Sequence, residues 1–264
     1  MGIRTILRCS GTHIGANTVT PSPMLLAAPV PIHEAFDSHA PPLSIIVPMW
    51  NEIAALPTLI EHLQPYRQRG CEVILVDGGS EDGSAALASG AGFRVIDAPR
   101  SRARQMNAGA RAAQGETLLF LHADTRLPNA ADRLIRNGLA SSSRSWGRFD
   151  VQIAGRSRLL RLIGAMINFR SRLSGIATGD QALFLRREVF VAIGGFPDQP
   201  LMEDIELSRR LKQYSRPVCL RTPVITSGRR WETRGVARTV VLMWRLRFLY
   251  WLGTPAERLA QLYR

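Results

Sequence analysis

The strongest constraint on this chain is a rhythm of short apolar runs and helix-patterned stretches. LSIIVPM (43–49), EVILVDGGS (72–80), FRVIDA (93–98) and TLLFL (117–121) are rich in valine, isoleucine and leucine. All four read as strands, and the uniformly apolar EVILV and TLLFL as strands buried on both faces. Between the first two, LPTLIEHLQPY puts Leu56, Leu59, Ile60 and Leu63 at helical spacing, with Pro57 suited to a first turn. EDGSAALASGAG predicts a short helix that Ser80 caps, and SRARQMNAGARAAQG a helix from Ser101 to a stop at Gly115. Strands joined in this way by helices imply βαβ units, a parallel sheet and a right-handed wind.

In an open parallel sheet, ligands bind beyond the carboxyl ends of the strands. Here every run turns polar at that end: Pro48–Glu52, Asp77–Ser80, Asp97–Arg104 and His122–Asp124. Four polar stretches therefore converge on one rim. PMWNE, after the first run, has no glycine, so the dinucleotide fingerprint is missing, and so is the P-loop pattern. VDGGSEDGS has glycines, but its acids repel phosphate. They suit the N–H of a base or ribose hydroxyls, or simply a capped turn.

At 264 residues and 45% hydrophobic content, the chain is globular, with room for one large α/β domain or two small ones. Residues 1–40 lack periodicity and read as a disordered tail, with folding expected from about Pro42. Cys9, Cys71 and Cys219 are odd in number and far apart, which argues against a disulfide framework or zinc cluster and suits a reducing compartment. The net charge of +13 is concentrated: thirteen basic side chains lie between Arg209 and Arg264, against only Glu232 and Glu257. Such a patch attracts nucleic acid, anionic membrane or phosphorylated substrates. Nucleic acid would leave the rim acids unexplained, and no recognition motif accompanies the charge, so it is not expected as a partner. VARTVVLMWRLRFLYWLG (236–253) is apolar, but carries Arg238, Arg245 and Arg247, which are expensive at a bilayer centre. It fits an interfacial helix on an anionic membrane, or a helix packed on the domain or on a partner subunit.

Taken together, SIIVPMWNE, VDGGSEDGS, RSRARQMNAGA, LLFLHADT, GDQALFLRREVF, GGF and MEDIELSRRL follow one another in an order that resembles the family 2 glycosyltransferases of the GT-A fold. The resemblance runs from about Leu43 to Trp231 and is nearest to a small bacterial branch reading His-Ala-Asp at its metal motif and SGRRWE later on. It implies an α/β fold, a mostly parallel sheet flanked by helices with C-terminal helices added. The GT-A domain would span 41–232 and basic amphipathic helices 233–264.

The resemblance also implies roles. Pro48, Glu52 and Asp77 would line the nucleoside pocket, and Arg104 with Asn107 would hold base or phosphate. Asp124 would be the metal ligand for Mg²⁺ or Mn²⁺, with His122 standing where many relatives carry aspartate. Gly179, Asp180 and Gln181 would approach the donor sugar and the acceptor, and Arg229 and Arg230 would clamp the leaving diphosphate. Asp204 would be the general base of an inverting transfer, supported by Glu203. The implied donor is a UDP- or GDP-linked sugar, the acceptor stays open, and the setting is cytoplasmic, at the inner face of the membrane. The alternative is a non-catalytic nucleotide-sugar or membrane-surface binding protein of the same fold. Either way, Asp77, Asp124 and Asp204 should meet around one cleft.

Overall fold

The computed structural model describes residues 42–263; the expected tail at 1–40 lies outside them. The first half alternates as the rhythm predicts: β1 (Leu43–Met49), α1 (Leu56–Gln68), β2 (Glu72–Asp77), α2 (Ser84–Gly90), β3 (Arg94–Asp97), α3 (Arg102–Ala112) and β4 (Thr117–Phe120). The second half is less regular: β5 (Thr125–Arg126), α4 (Ala131–Ala140), β6 (Trp146–Ala154), α5 (Leu159–Ser174), β7 (Phe184–Arg186), α6 (Arg187–Ala192), α7 (Glu203–Leu211), β8 (Val218–Ser227), α8 (Arg229–Arg234), α9 (Val236–Trp251) and α10 (Ala256–Tyr263).

The eight strands form one sheet in the order β3-β2-β1-β4-β7-β6-β8-β5. β1 to β4 are parallel throughout. β7 runs antiparallel to both β4 and β6, β8 is parallel to β6, and β5 is antiparallel to β8. The sheet is therefore mixed, parallel through one half and largely antiparallel through the other. Its two faces are covered by different helices. Leu56, Leu59 and Leu63 of α1 pack with Ile45 and Val47, while Ala103, Met106 and Ala110 of α3 pack with Ile46 and Val76 on the other side. The crossover changes face between β1 and β4, where such sheets open a ligand crevice. α3 lies so close to the sheet that a Cβ on Gly109 would stand 3.0 Å from Val76 Cγ2 and collide with Ile46.

Two expected boundaries move. The N-cap of α2 is Gly83 at φ 87°, because Ser80 is engaged elsewhere: its hydroxyl donates to Asp77 Oδ1 at 2.5 Å. α3 ends at Ala112 rather than Gly115. Gly115 instead lets the chain pass Ser44, whose backbone nitrogen would be 2.8 Å from a Cβ there.

At the other end, Leu246 of α9 and Leu259 of α10 are buried with Met202, and Leu201 and Ile205 pack around them. The C-terminal helices thus lie on the head of α7, while Val241, Trp244, Phe248 and Trp251 on the outer side of α9 remain exposed. Among the described residues no helix is long and apolar enough to cross a membrane.

Candidate active site

The carboxyl end of β2 builds its own turn. Asp77 is buried and accepts from the Gly79 and Ser80 backbone N–H groups at 3.0 and 2.8 Å. The Asn51 N–H donates to Ser80 Oγ at 2.9 Å, and the Glu52 N–H to Ser84 Oγ at 3.0 Å, so the loops after β1 and β2 are stitched together. The Glu52 carboxyl is pushed above the usual glutamate range, first by burial and then by the nearby charge of Asp124; Arg229 and Arg102 pull it back. Glu52 and Asp124, from the ends of two adjacent strands, therefore share one electrostatic neighbourhood with these arginines.

Across the crevice, His122 Nδ1 is 3.3 Å from Asp180 Oδ1. Asp180 sits in the 3₁₀ turn Gly179–Gln181. Burial raises the Asp180 carboxyl, but His122, Arg102 and Arg230 outweigh it and hold it below the usual range. A Cβ on Gly179 would strike the imidazole, so only glycine lets this turn close over His122. The Gly179 N–H donates to Asp204 Oδ2 at 2.8 Å, fixing the carboxylate at the start of α7. Beside it, Glu203 is buried, and burial followed by the Asp204 charge drives its pKa upward. Met106, Phe120, His122, Gly179, Glu203 and Asp204 line a narrow cavity at the end of β4. Thus Asp204 is held by the turn that carries Asp180 and lines one cavity with His122, Asp124 adjoins electrostatically through Glu52 and Arg230, and Asp77 lies farther along the same strand ends.

The arginines form a second layer. Partial desolvation and then Arg102 lower the pKa of the exposed Arg230, while Asp180 and Asp124 favour its charge. Its Cζ stands 5.1 Å from the Tyr263 ring centroid, which holds α8 against α10. Arg102 carried no assigned role in the sequence, yet it acts electrostatically on Glu52, Asp180, Glu203 and Arg230. Its spacing was the available signal: it lies one helical turn before Met106, which lines the cavity.

Four expected contacts are spent elsewhere. Arg104 points away from the crevice into a two-pronged pair with Asp198, at 2.8 Å from Nε and 2.8 Å from Nη2. Asn107 clamps one backbone unit, donating to Phe196 O and accepting its N–H, both at 2.9 Å. Gln181 is fully buried, and its Oε1 accepts from the Thr178 N–H at 3.2 Å within a capping box. Pro48 is buried within β1, paired with Val76, so it shapes the strand and not the pocket. His62, given no ligand role, accepts the Leu127 N–H at 2.9 Å.

Among the described residues there is no group of three or more His, Cys, Asp or Glu side chains arranged to hold a metal. Asp124 offers a single carboxylate, bonded only weakly by Thr125 Oγ1 at 3.4 Å. That donor set fits a hard cation which takes one or two protein ligands and the rest from phosphate oxygens, and does not fit a protein-held metal cage.

Residues 44–187 match the model of the Glycosyl transferase family 2. A PGL/p-HBAD biosynthesis glycosyltransferase of Mycobacterium bovis (strain BCG / Pasteur 1173P2) is 38% identical over 104 residues, 37% of this chain. That match spans only 40% of the relative's length. Among solved structures, S. aureus TarS 1-349 in complex with UDP-GlcNAc is similar at a TM-score of 0.58 and 15% identity, covering 70% of this chain and 58% of that one. The mannosyltransferase PcManGT from Pyrobaculum calidifontis, in complex with GDP-Man and Mn2+, gives 0.52 and 20%, covering 74% and 60%. The architecture is the GT-A fold.

Proposed function

The chain belongs to glycosyl transferase family 2, and on that premise we propose that it transfers a sugar from a nucleoside diphosphate donor to an acceptor hydroxyl, with inversion. The observation that carries this reading is the arrangement of the crevice: a carboxylate fixed at Asp204, and a separate bank of Asp124, Glu52, Arg102, Arg229 and Arg230.

Direct displacement at an anomeric carbon needs a base to remove the acceptor's proton and a sink for the charge left on the diphosphate. Asp204 is the base. Hydrogen bonds from the Gly179 N–H to Oδ2 and from the Ile205 N–H to Oδ1, at 2.8 and 2.7 Å, orient it, and the lone pair left on each oxygen is free to take the acceptor's proton. Arg229 and Arg230 receive the leaving diphosphate through charge-assisted hydrogen bonds, with Arg102 as the third cation of that bank. Asp124 would hold a divalent cation, Mg²⁺ or Mn²⁺, which when bound neutralises phosphate charge. Glu203, with its raised pKa, keeps a proton near Asp204 more readily than an exposed glutamate does. Asp77 and Glu52 take the nucleoside end, Asp77 having stiffened its loop through Gly79 and Ser80. UDP and GDP both remain open as the donor nucleotide, and the proposed setting is the cytoplasmic face of a membrane. There the exposed Trp244 and Trp251 of α9, flanked by Arg238 and Arg245, suit an anionic lipid surface.

The test is release of nucleoside diphosphate from a panel of UDP- and GDP-linked sugars with Mn²⁺. Release by the wild type that drops sharply in Asp204→Asn supports the transfer. Tight donor binding with no release under any metal supports the non-catalytic alternative instead. Flotation with anionic vesicles that persists after Trp244→Ser and Trp251→Ser would remove the proposed membrane face.

A further inference from the structure

Two partly buried arginines are short of partners. Arg170, near the end of α5, has Nε and Nη2 buried without a hydrogen-bond partner. Arg247, on the inner side of α9, makes no hydrogen bond or ion pair among the described residues. The contrast with Arg148 is direct. That side chain is fully buried and its Nε also lacks a partner, but its charge is answered: it pairs with Asp150 and donates to Asn168 O at 3.2 Å. A guanidinium removed from water with no counter-ion is strongly unfavourable, and a second cation nearby makes it worse.

Arg170 and Arg247 are electrostatic neighbours. Burial and then the Arg247 charge push Arg170 down to about 10, whereas Asp204 favours its charged form. Burial likewise lowers Arg247, opposed by Asp204 and Asp180. Asp180 acts on both Arg230 and Arg247, but the other acids differ: Arg229 acts on Glu52 and Arg230 feels Asp124, whereas Asp204 favours the charge of Arg170 and Arg247. A pair of unsatisfied guanidinium forks on the base side of the crevice is a site for an anion that is not the donor's diphosphate.

We propose that Arg170 and Arg247 bind a phosphate monoester carried by the sugar acceptor, seating its hydroxyl at Asp204. This rests on the reading of Asp204 as the base. Two forks offer two positive charges and more donors than a carboxylate can accept, whereas a phosphate monoester has three terminal oxygens and close to two negative charges. Binding supplies the hydrogen bonds that Arg170 lacks.

The test uses the full chain and glycerol 3-phosphate as the probe, with binding followed by calorimetry and thermal melting. The wild type binds it and melts higher in its presence. Arg170→Met and Arg247→Gln each weaken binding at least about tenfold. Without the probe, Arg170→Met melts at or above the wild type, because an unpaired buried charge has gone. Should Arg170→Met fail to fold, Arg247→Gln carries the binding test alone. Binding untouched by both variants, or lost only in Arg230→Gln, overturns the proposal, the latter because the probe would then occupy the diphosphate bank. A soluble and a lipid-borne acceptor are told apart by vesicles containing phosphatidic acid: capture that glycerol 3-phosphate competes away, and that either variant weakens, points to the lipid. Binding of glycerol 3-phosphate alone points to a soluble acceptor. Donor turnover by the wild type tests the transferase reading separately, since a chain without turnover that still binds the probe through both arginines would sink that reading and not the site.

Discussion

The two banks of the crevice are made differently. On the bank formed by the loops after β1 and β2 and by α3, polar groups are answered within the protein: Asp77 by Gly79 and Ser80, Asp82 by the Ile53 and Ser84 N–H groups, Asn107 by Phe196, Arg104 by Asp198. On the bank formed by α5, α7 and α9, charge is left over, with Arg170 and Arg247 unpaired beside Asp204. One bank is a finished platform and the other is completed by what it binds. Rigidity and unsatisfied charge have been placed on opposite sides of the same opening.

The sharpest way to break this contrast is Asp204→Asn. The amide oxygen still accepts the Gly179 N–H, but the amide nitrogen replaces the oxygen that takes the Ile205 N–H, so the protein should lose about 1–3 kcal/mol while transfer by the folded fraction falls about 10²–10⁴-fold. Equal activity would mean that the second bank holds no base. Next comes the platform itself. Gly109→Val forces a branched side chain against Ile46 and Val76, and should cost about 1–3 kcal/mol in denaturant unfolding with kcat/KM of the folded fraction kept. A loss of stability near zero would show that α3 is not seated firmly. Arg230→Gln should slow nucleoside diphosphate release by about tenfold or more.

A pH series refines the point further. Glu203 holds its proton more tightly folded than unfolded, so its contribution to stability is full at low pH. It declines as pH rises from the ordinary glutamate range through the raised folded value. Glu203→Gln should flatten that decline in melting temperature; an unchanged profile would place the strain elsewhere. Smallest of all, Arg104→Ala should leave transfer within about twofold and stability nearly unchanged, since an exposed pair contributes little.

The platform was readable from the sequence because its signals are local. Short apolar runs mark β1 to β4, and each ends on the polar residues that form the rim. Even there, spacing along the chain misled at Arg104. Two helical positions separate it from Arg102, so the two point to different sides of α3, and it is Arg102 that the crevice acids feel. Gln181 and Asn107 misled for another reason: an amide that satisfies backbone looks the same in a motif as one that binds a ligand. The second half of the sheet gave little warning. β5 and β7 are two and three residues long, too short for a period to register. Arg170 and Arg247 lie on helices far apart in the chain, and only tertiary packing brings them together.

Gln105 has a bearing on how such a cleft could breathe. Its amide Nε2 donates to both Met49 O and Val76 O at 2.8 Å, riveting the last residues of two neighbouring strands from beneath. Widening the opening from that side would break two buried hydrogen bonds at once. The grip of α9 and α10 on Met202 is apolar, and dispersion contacts can slide and re-form. Passage of a bulky molecule therefore falls to the helical wall, with the sheet as the fixed jamb.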